Sequence, residues 1–463
     1  MSDAPRSDVG IATAGHTIRQ LSAGLADGSV TAATLVAECL KRIAAPDGEG
    51  GRAFLSVAAE TATETAAAYD GIRAAGGTLP PFAGIPVAVK DLADIAGQVT
   101  TAGSVVLADR SPAVVDAPVV ARLRAAGFII VGRTNMTEFA YSGLGLNSHH
   151  DTPRSPWDRE TGRIPGGSSS GTAVAVADGM AVAGLGTDTG GSCRIPAAFC
   201  GVVGFKPTAS RVPLHGVVPL SFSLDSIGPL GRSVDCCAIV DDVFAGGSGL
   251  VANDSPPPER LRFGMLTDLV LDDMAPEVAV IYERTLASLA DAGVTLVDVS
   301  FPELNELPEI NRGGGLAAAE AFAWHRDLLA DRGDEYDQRV RSRMELGAKL
   351  TAADYIDVLE ARKRLIAVAE ARIDALDGFV LPTVPILPPP VADLDDGDAA
   401  LYSTNNLLTL RNTSVGNFLD TCALSVPANA PDEPPVGFML MGRPQGDRPL
   451  LAAGRTVERI LAG

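Results

Sequence analysis

The chain of 463 residues has few aromatic side chains, which make up 5% of it, and no apolar run long enough to span a membrane. The alanine- and valine-rich stretch after Ser170 is interrupted by Asp178 and by glycines, so it does not qualify as a span. The N-terminal sequence MSDAPRSDVGIATAGH lacks the apolar core of a secretion signal. We therefore expect a cytoplasmic protein with an α/β core of small, closely packed side chains.

Positive charge, paired cysteines and clustered histidines are also scarce. The 37 lysines and arginines against 57 acidic residues give a net charge of −20, which argues against nucleic acid as a partner. The six cysteines form no C-x-x-C pair, so we expect free thiols in a reducing compartment. The five histidines are scattered without ligand spacing. We expect no metal, no cofactor and no membrane partner.

What is present is an alternation of helical and strand-like segments. Thr31 is a candidate cap for a helix with an apolar face made by Leu35, Val36, Cys39, Leu40 and Ile43. Residues 84–90 and 128–132 read as buried strands, and residues 117–127 between them read as a helix that ends at glycine. A strand, a helix and a strand with short links predict parallel pairing in a helix-covered sheet.

The second half of the chain continues this alternation. Residues 261–266, 294–299 and 379–381 are strand candidates, residues 316–376 are strongly helical in composition, and residues 382–398 form a proline- and aspartate-rich loop. No stretch resembles a long flexible linker. One large α/β domain is favoured over separate modules.

Two serine-containing glycine loops stand out, PGGSSSG at residues 165–171 and GTDTGGS at residues 186–192. Residues 170–179 suit a short helix and residues 180–186 a buried strand. A helix of about ten residues rises roughly 15 Å, and a strand of about six residues returns roughly 20 Å. The second loop can therefore come back beside the first, with Ser168 near Ser192 although they are 24 positions apart.

The second loop has the composition of an oxyanion-binding site. Glycines at 190 and 191 allow a sharp turn and a close approach of the backbone to a ligand. The backbone N–H groups that can then point at one spot are those of Thr189, Gly190, Gly191 and Ser192. Ser192 is the candidate nucleophile.

A serine nucleophile needs a base, and no histidine lies in a recognisable catalytic motif. Lys90 ends the apolar strand of the segment GIPVAVKD. Burial disfavours the charged form of lysine and lowers its pKa. A neutral Lys90 can accept a proton, and Ser168 can relay that proton from Ser192.

Two other glycine-loop chemistries fit less well. The chain has neither G-x-x-x-x-G-K-[ST] nor G-x-G-x-x-G, so a nucleotide site is not favoured. GSSSG matches the G-x-S-x-G elbow of α/β-hydrolases, but that elbow should follow a hydrophobic strand. Here the polar stretch SPWDRETGRIP precedes it.

The segments GIPVAVKD, PGGSSSG and GTDTGGSCRIPAAFCGVVGFKPT, in this order, resemble the amidase signature family in its free-standing amidase type. The resemblance extends from about His16 to the C-terminal region. It implies a Ser–cis-Ser–Lys triad. Ser192 would form the acyl-enzyme, Ser168 would bridge after a cis bond to Gly167, and Lys90 would be the general base and acid.

The resemblance implies the amidase signature fold, one domain over residues 1–463 with a central mixed, mostly parallel twisted β-sheet covered by helices on both faces. Residues 1–80 would be its helical N-terminal part, residues 81–245 the catalytic core, and residues 246–463 the part that completes the sheet and the pocket. The implied activity is metal-independent hydrolysis of a small aryl or aliphatic carboxylic amide to carboxylate plus ammonia or amine. Tyr141 and Ser142 would line the acyl pocket, and a homodimer is possible.

Two alternatives stay open within this family. The A-type chain of glutamyl-tRNA(Gln) amidotransferase shares the triad and passes ammonia from glutamine to a partner. Such chains usually carry a YDGVRYG-like segment, from which YDQRVRSRMELG at residues 336–347 departs. The second alternative is a catalytically inactive amidase-fold binding protein.

Three residues beside the serines need an interpretation. Family members often have glycine at the position of Ser170 and an aliphatic residue at the position of Cys193, and we expect Cys193 to be a packing residue. Arg194 is expected to be structural and to pair with Asp188 or Asp225.

Overall fold

One continuous sheet of eleven strands runs through the computed structural model, which describes residues 15–395 and 397–463. The sequence before Gly15, in which we expect no secretion signal, lies outside the described residues. The strands are β1 (Phe54–Val57), β2 (Pro86–Lys90), β3 (Ile129–Thr134), β4 (Ala183–Asp188), β5 (Val203–Lys206), β6 (Ser226–Gly231), β7 (Arg262–Leu266), β8 (Thr295–Val299), β9 (Gly378–Pro382), β10 (Ala423–Pro427) and β11 (Gly437–Met441).

The spatial order of the strands is β1-β3-β2-β4-β6-β5-β10-β11-β9-β7-β8. In this described sheet four neighbouring pairs are parallel, β2 with β3 and β4 and β7 with β8 and β9, and the other six are antiparallel. The predicted mixed sheet is confirmed, but the prediction that it is mostly parallel is wrong. The segments joining β5 to β6 and β10 to β11 contain no crossover helix, and such links join antiparallel strands.

The described chain also contains sixteen α-helices. They are α1 (Ile18–Asp27), α2 (Ala32–Ile43), α3 (Gly50–Ala53), α4 (Ala59–Ala74), α5 (Pro118–Ala125), α6 (Ser170–Ala177), α7 (Arg194–Cys200), α8 (Val234–Phe244), α9 (Pro276–Asp291), α10 (Leu307–Ile310), α11 (Gly315–Arg332), α12 (Gln338–Met344), α13 (Ala352–Ile373), α14 (Val391–Asp395), α15 (Ala399–Phe418) and α16 (Asp447–Ala462). Within residues 15–395 and 397–463, none of them is both long and apolar enough for a membrane span.

The sheet is covered on both faces near its centre. Every residue of β2, β3, β4, β9 and β11 is buried. Side chains of a strand alternate between the two faces, so complete burial requires packed elements on each side.

Local sequence signals explain where several elements begin and end. The Thr31 hydroxyl accepts the N–H of Thr34, and α2 buries Leu35, Val36 and Cys39, as predicted. The chain after α5 turns at Gly127 with φ of +97°, where a Cβ would come within 2.6 Å of the backbone of Ala83. The predicted strands at residues 261–266, 294–299 and 379–381 are present as β7, β8 and β9. The strand β1 inside the predicted helical N-terminal part was not predicted.

The helix α6 and the strand β4 place the two serine loops side by side. The predicted strand at residues 180–186 begins three residues later, at Ala183. The loops are in direct contact, since the N–H of Ser169 donates to the carbonyl oxygen of Ser192 at 3.3 Å. The predicted return of the second loop beside the first is confirmed.

Candidate active site

Lys90 is the last residue of β2 and is completely buried. Its Nζ lies 2.7 Å from Ser168 Oγ, 2.7 Å from Thr187 Oγ1 and 3.0 Å from Ser169 Oγ. Thr187 belongs to β4, which pairs with β2, and the two serines immediately precede α6. An uncharged amine has two N–H bonds and one lone pair. Three hydroxyl neighbours can therefore accept two hydrogen bonds from Nζ and donate one to it.

The surroundings of Lys90 favour the uncharged amine. Burial lowers the pKa of Lys90 from 10.5 to about 7, although the nearby carboxylates of Asp188 and Asp225 oppose the change. Desolvation penalises the charged form of a lysine, and only partial compensation comes from charges that are not in contact with it. Near neutral pH, Lys90 is thus able both to accept and to return a proton.

Ser168 is held in place by its backbone. The Gly167–Ser168 peptide bond is cis, as the family resemblance led us to expect. The N–H of Gly167 donates to the carbonyl of Gly143 at 2.8 Å, and the N–H of Thr137 donates to the carbonyl of Ser168 at 3.1 Å. A Cβ at Gly167 would come within 2.7 Å of the N of Gly145, so only glycine fits there.

Ser192 follows β4 and is 3% exposed. Its side chain makes no hydrogen bond with any residue that the structure describes, Ser168 included. The structure thus brings Lys90 and Ser168 together and sets the Ser192 loop against Ser169, but it does not join the two hydroxyls of the predicted relay. Catalytic hydrogen bonds are often long before substrate binds and shorten in the complex.

Three of the four predicted oxyanion donors are unoccupied within the described residues, namely the N–H groups of Thr189, Gly190 and Ser192. The N–H of Gly191 instead donates to Asp188 Oδ1 at 2.9 Å. Gly191 has φ of +135°, and a Cβ there would lie 2.2 Å from Thr413 Oγ1. Gly191 therefore shapes the loop in this structure, whereas its neighbours offer donors.

A buried ion pair fixes this loop from beneath. Asp188 and Arg194 are both fully buried, with Arg194 Nη2 2.9 Å from Asp188 Oδ1 and Nε 3.0 Å from Oδ2. Burial alone would raise the pKa of Asp188, but Arg194 brings it down to about 2. Asp188 also accepts the N–H of Cys193 and the Nδ2 of Asn417. The expected structural pairing of Arg194 with Asp188 is confirmed.

Neither Cys193 nor Ser170 is positioned to act as a nucleophile. The Cys193 thiol is buried and donates to the carbonyl of Gly228 at 3.5 Å. Burial raises the pKa of this thiol, which makes its reactive thiolate inaccessible. The Ser170 hydroxyl is buried at the start of α6 without a hydrogen-bond partner among the described residues. No cluster of three or more His, Cys, Asp or Glu side chains suited to a metal occurs in residues 15–395 and 397–463.

The two predicted pocket residues differ in how they are used. The Ser142 hydroxyl donates to Asn406 Oδ1 at 2.8 Å and accepts from Tyr402 at 3.0 Å, so other protein groups already occupy it. The ring of Tyr141 is buried, and the guanidinium of Arg343 lies 4.4 Å from its centroid. Arg343 Nη1 also donates to the carbonyl of Tyr141 at 2.6 Å.

Sequence reasoning missed several residues of this site. Thr187 lies inside the GTDTGGS motif. This motif is the sequence signal from which its position beside Lys90 could have been predicted. Arg343 lies in the segment YDQRVRSRMELG, which has no pattern that marks this arginine as a substrate-binding residue. Two cavities of about 570 and 670 Å³ lie elsewhere, and neither is lined by Lys90, Ser168 or Ser192.

Comparison with known proteins identifies the family. The sequence profile described as Amidase matches residues 34–451. This chain belongs to the amidase family. It is therefore a hydrolase of carbon–nitrogen amide bonds, with the α/β fold of the amidase signature enzymes.

Three relatives show the range of this family. The 2-amino-5-chloromuconic acid deaminase of Comamonas testosteroni is 37% identical over 404 residues, which cover 86% of each chain. The A-type chain of the glutamyl-tRNA(Gln) amidotransferase of Chloroflexus aggregans is 34% identical over an alignment of 477 positions, which covers 96% of each chain. A crystal structure of an amidase matches with a TM-score of 0.86 and 31% identity, covering 96% of this chain and 99% of the other.

Proposed function

We propose that this enzyme hydrolyses a small-molecule carboxylic amide, with Ser192 as nucleophile, Ser168 as proton relay and Lys90 as general base and acid. The observation that carries the proposal is the 2.7 Å contact between Lys90 Nζ and Ser168 Oγ in a fully buried setting. The Ser192 loop packs against the same serine pair, through the Ser169 N–H.

Acylation begins when Ser192 Oγ attacks the amide carbonyl carbon. The proton of Ser192 moves to Ser168 Oγ as the Ser168 proton moves to Lys90 Nζ. The oxyanion of the tetrahedral intermediate accepts hydrogen bonds from the N–H groups of Thr189, Gly190 and Ser192. This step requires Ser192 Oγ to come within hydrogen-bond distance of Ser168 Oγ in the substrate complex.

The tetrahedral intermediate then collapses. The carbon–nitrogen bond breaks, and the leaving nitrogen takes a proton from Ser168, which is replenished from Lys90. The departing group is ammonia or an amine, and the acyl group remains on Ser192 as an ester. Water attacks this ester and gives its proton through Ser168 to Lys90. Collapse returns that proton to Ser192 and releases the carboxylic acid, which then ionises to the carboxylate in water.

The acyl side of the site favours a substrate that carries a negative charge. Arg339 and Arg341 on α12 form ion pairs, with Asp337 and Asp334 among their partners. Arg343 on the same helix forms none with any described residue. It binds the carbonyl of Tyr141, two residues before the Gly143 carbonyl that anchors Gly167. A guanidinium recognises a carboxylate through paired hydrogen bonds.

The deaminase relative from Comamonas testosteroni is named for an acid, which agrees with this substrate class. We therefore infer an amide whose acyl part bears a carboxylate for Arg343. In a matched pair of amides, one with a carboxylate and one with its methyl ester, Arg343→Gln should raise KM for the acid by about a hundredfold and leave the ester nearly unchanged. Arg341→Gln is the control and should alter neither. Equal effects of Arg343→Gln on both amides would rule out the carboxylate contact.

The catalytic assignment has its own test. A panel of amides is assayed with ammonia and amine release both measured, and a fluorophosphonate probe is used to label the active serine. The proposal predicts hydrolysis and labelling by the wild type and loss of both in Ser192→Ala. Labelling that persists in Ser192→Ala would place the nucleophile elsewhere.

A second candidate is the A-type chain of an amidotransferase, favoured by the 34% identity to such a chain over 96% of both sequences. In that case ammonia would pass to a partner protein. The purified chain alone distinguishes the two. Efficient hydrolysis of small amides without any partner supports the free-standing enzyme, and activity that requires added partner proteins supports the second candidate.

A further inference from the structure

The loop that precedes β6 is tied to the oxyanion loop by one carboxylate. Asp225 Oδ1 accepts the hydroxyl of Thr189 at 2.5 Å. Asp225 Oδ2 accepts the backbone N–H groups of Leu220 and Ser221 at 2.9 and 3.1 Å. Asp225 is 8% exposed and forms no ion pair with a described residue. The polar contacts of its side chain with the described residues are these three accepted hydrogen bonds.

A second buried carboxylate holds the outer side of the same loop. Glu320 on α11 accepts Ser221 Oγ at 2.5 Å, the N–H of Ser223 at 2.9 Å and Ser223 Oγ at 2.5 Å. It also accepts the hydroxyl of Tyr355 on α13 at 2.8 Å. A carboxylate has about four acceptor positions, and these hydrogen bonds occupy all of them. Ser221 is bound to both carboxylates, so Glu320 fixes the loop from which Asp225 reaches Thr189.

We propose that Asp225 is a positioning residue of the amidase site, which holds Thr189 and thereby aims the backbone N–H groups that receive the oxyanion. Glu320 supports it by anchoring residues 221–223. The inference rests on the proposed catalytic role of the oxyanion loop. An asparagine at 225 has one acceptor oxygen and cannot replace the carboxylate toward all three donors.

Asp225 also acts on Lys90 through its charge. Its carboxylate is among the groups that raise the pKa of Lys90, together with Asp188. Burial raises the pKa of Asp225 itself to about 6, and the neighbouring Glu320 contributes to that increase. At neutral pH the carboxylate is charged and stabilises protonated Lys90. Removing this charge would lower the pKa of Lys90.

The test measures kcat, KM and the pH dependence of kcat/KM for Asp225→Asn on the best amide of the panel. We expect kcat to fall by about tenfold or more with KM changed by less than about threefold, because the N–H groups act on the transition state. The acid limb of kcat/KM should also move to lower pH. Asp241→Asn is the matched control, since Asp241 is also buried, on α8, but pairs with Arg211. It should leave kcat and the acid limb in place.

Thr189 gives a second route that does not depend on how Asp225→Asn folds. Thr189→Ser keeps the hydroxyl and should retain activity, whereas Thr189→Val should lower kcat about as much as Asp225→Asn. The double variant should lose no more than the worse single variant. The inference would be overturned if Thr189→Val had the kcat of the wild type. It would also be overturned if folded Asp225→Asn showed the decline of kcat/KM at low pH at the same pH as the wild type. If Ser192→Ala were active, the proposed function itself would fail, and this outcome is distinct from the other two.

Discussion

Two lysines are completely buried in this enzyme, and they differ in what they touch. Lys90, at the end of β2, contacts three hydroxyls, those of Ser168, Ser169 and Thr187. Lys206, at the end of β5, donates to the backbone carbonyl of Pro207 at 2.8 Å. Burial lowers the pKa of both lysines.

The comparison separates a low pKa from a catalytic role. A carbonyl oxygen accepts hydrogen bonds but has no proton to donate. An uncharged Lys206 therefore cannot take a proton from the group that it contacts. A hydroxyl has both a proton and lone pairs, so Lys90 can exchange protons with Ser168 in either direction. The partner of the amine, and not burial alone, makes Lys90 the candidate base.

The largest expected effect comes from exchanging each lysine for methionine, which is apolar and of similar length. Lys90→Met should lower kcat/KM by about ten thousandfold, because the nucleophile loses its base. Lys206→Met should stay within about tenfold of wild type, since only a structural hydrogen bond is lost. Steady-state kinetics on one amide measures both. Comparable losses of kcat/KM in the two folded variants would contradict the distinction between a catalytic Lys90 and a structural Lys206.

The next effect separates the two serines that share Lys90. Ser168→Ala should lower kcat by about a hundred- to a thousandfold because the relay is broken. Ser169→Ala removes only one orienting contact of Nζ and should cost about tenfold or less. The same assay is used, with circular dichroism as a check that both variants fold. A larger loss in Ser169→Ala would make Ser169 the relay.

A smaller effect is expected from pH. Lys90 must be uncharged to act as a base, and its pKa is about 7. The value of kcat/KM should therefore fall by about tenfold for each pH unit below 7. Lys206→Met should show the same acid limb as wild type. A profile that is flat down to about pH 5 would contradict a lysine base.

The last expected effect concerns stability and not activity. The pKa of Lys90 is about 7 in the folded enzyme and near 10.5 once unfolded, so between these values the unfolded chain binds more protons. As the pH rises from 7 to 10, the free energy of unfolding of the wild type should increase by about 1.4 kcal/mol per pH unit relative to that of Lys90→Met. Thermal melts across this range measure the difference. A gap that is constant with pH would indicate that Lys90 stays charged when folded.

Local patterns predicted the parts of the site that are close in sequence. The lengths of α6 and β4 placed the two serine loops together, and the contact between Ser169 and Ser192 agrees. The apolar segment GIPVAVKD placed Lys90 at the end of a buried strand. Such features depend on periodicity and element length, which a sequence displays directly.

Contacts between distant segments were beyond the sequence. Asp225 contacts Thr189 across 36 positions and Glu320 contacts Ser221 across 99, and neither carboxylate lies in a motif. The strand β10 pairs antiparallel with both β11 and β5, which makes the sheet less parallel than predicted. The paths of the loops that bring these strands together are set by tertiary packing and not by a local sequence pattern. Arg343 could be distinguished from Arg341 only by its lack of an acidic partner among the described residues.

The central claim is that Lys90 is an uncharged amine near neutral pH, and its titration tests this most directly. The chain has only five lysines, so lysine labelled with ¹³C at Cε gives few NMR signals. The signal absent from Lys90→Met should titrate near pH 7 in the folded enzyme. A midpoint above about pH 9.5 for that signal, close to the ordinary value for lysine, would contradict the account.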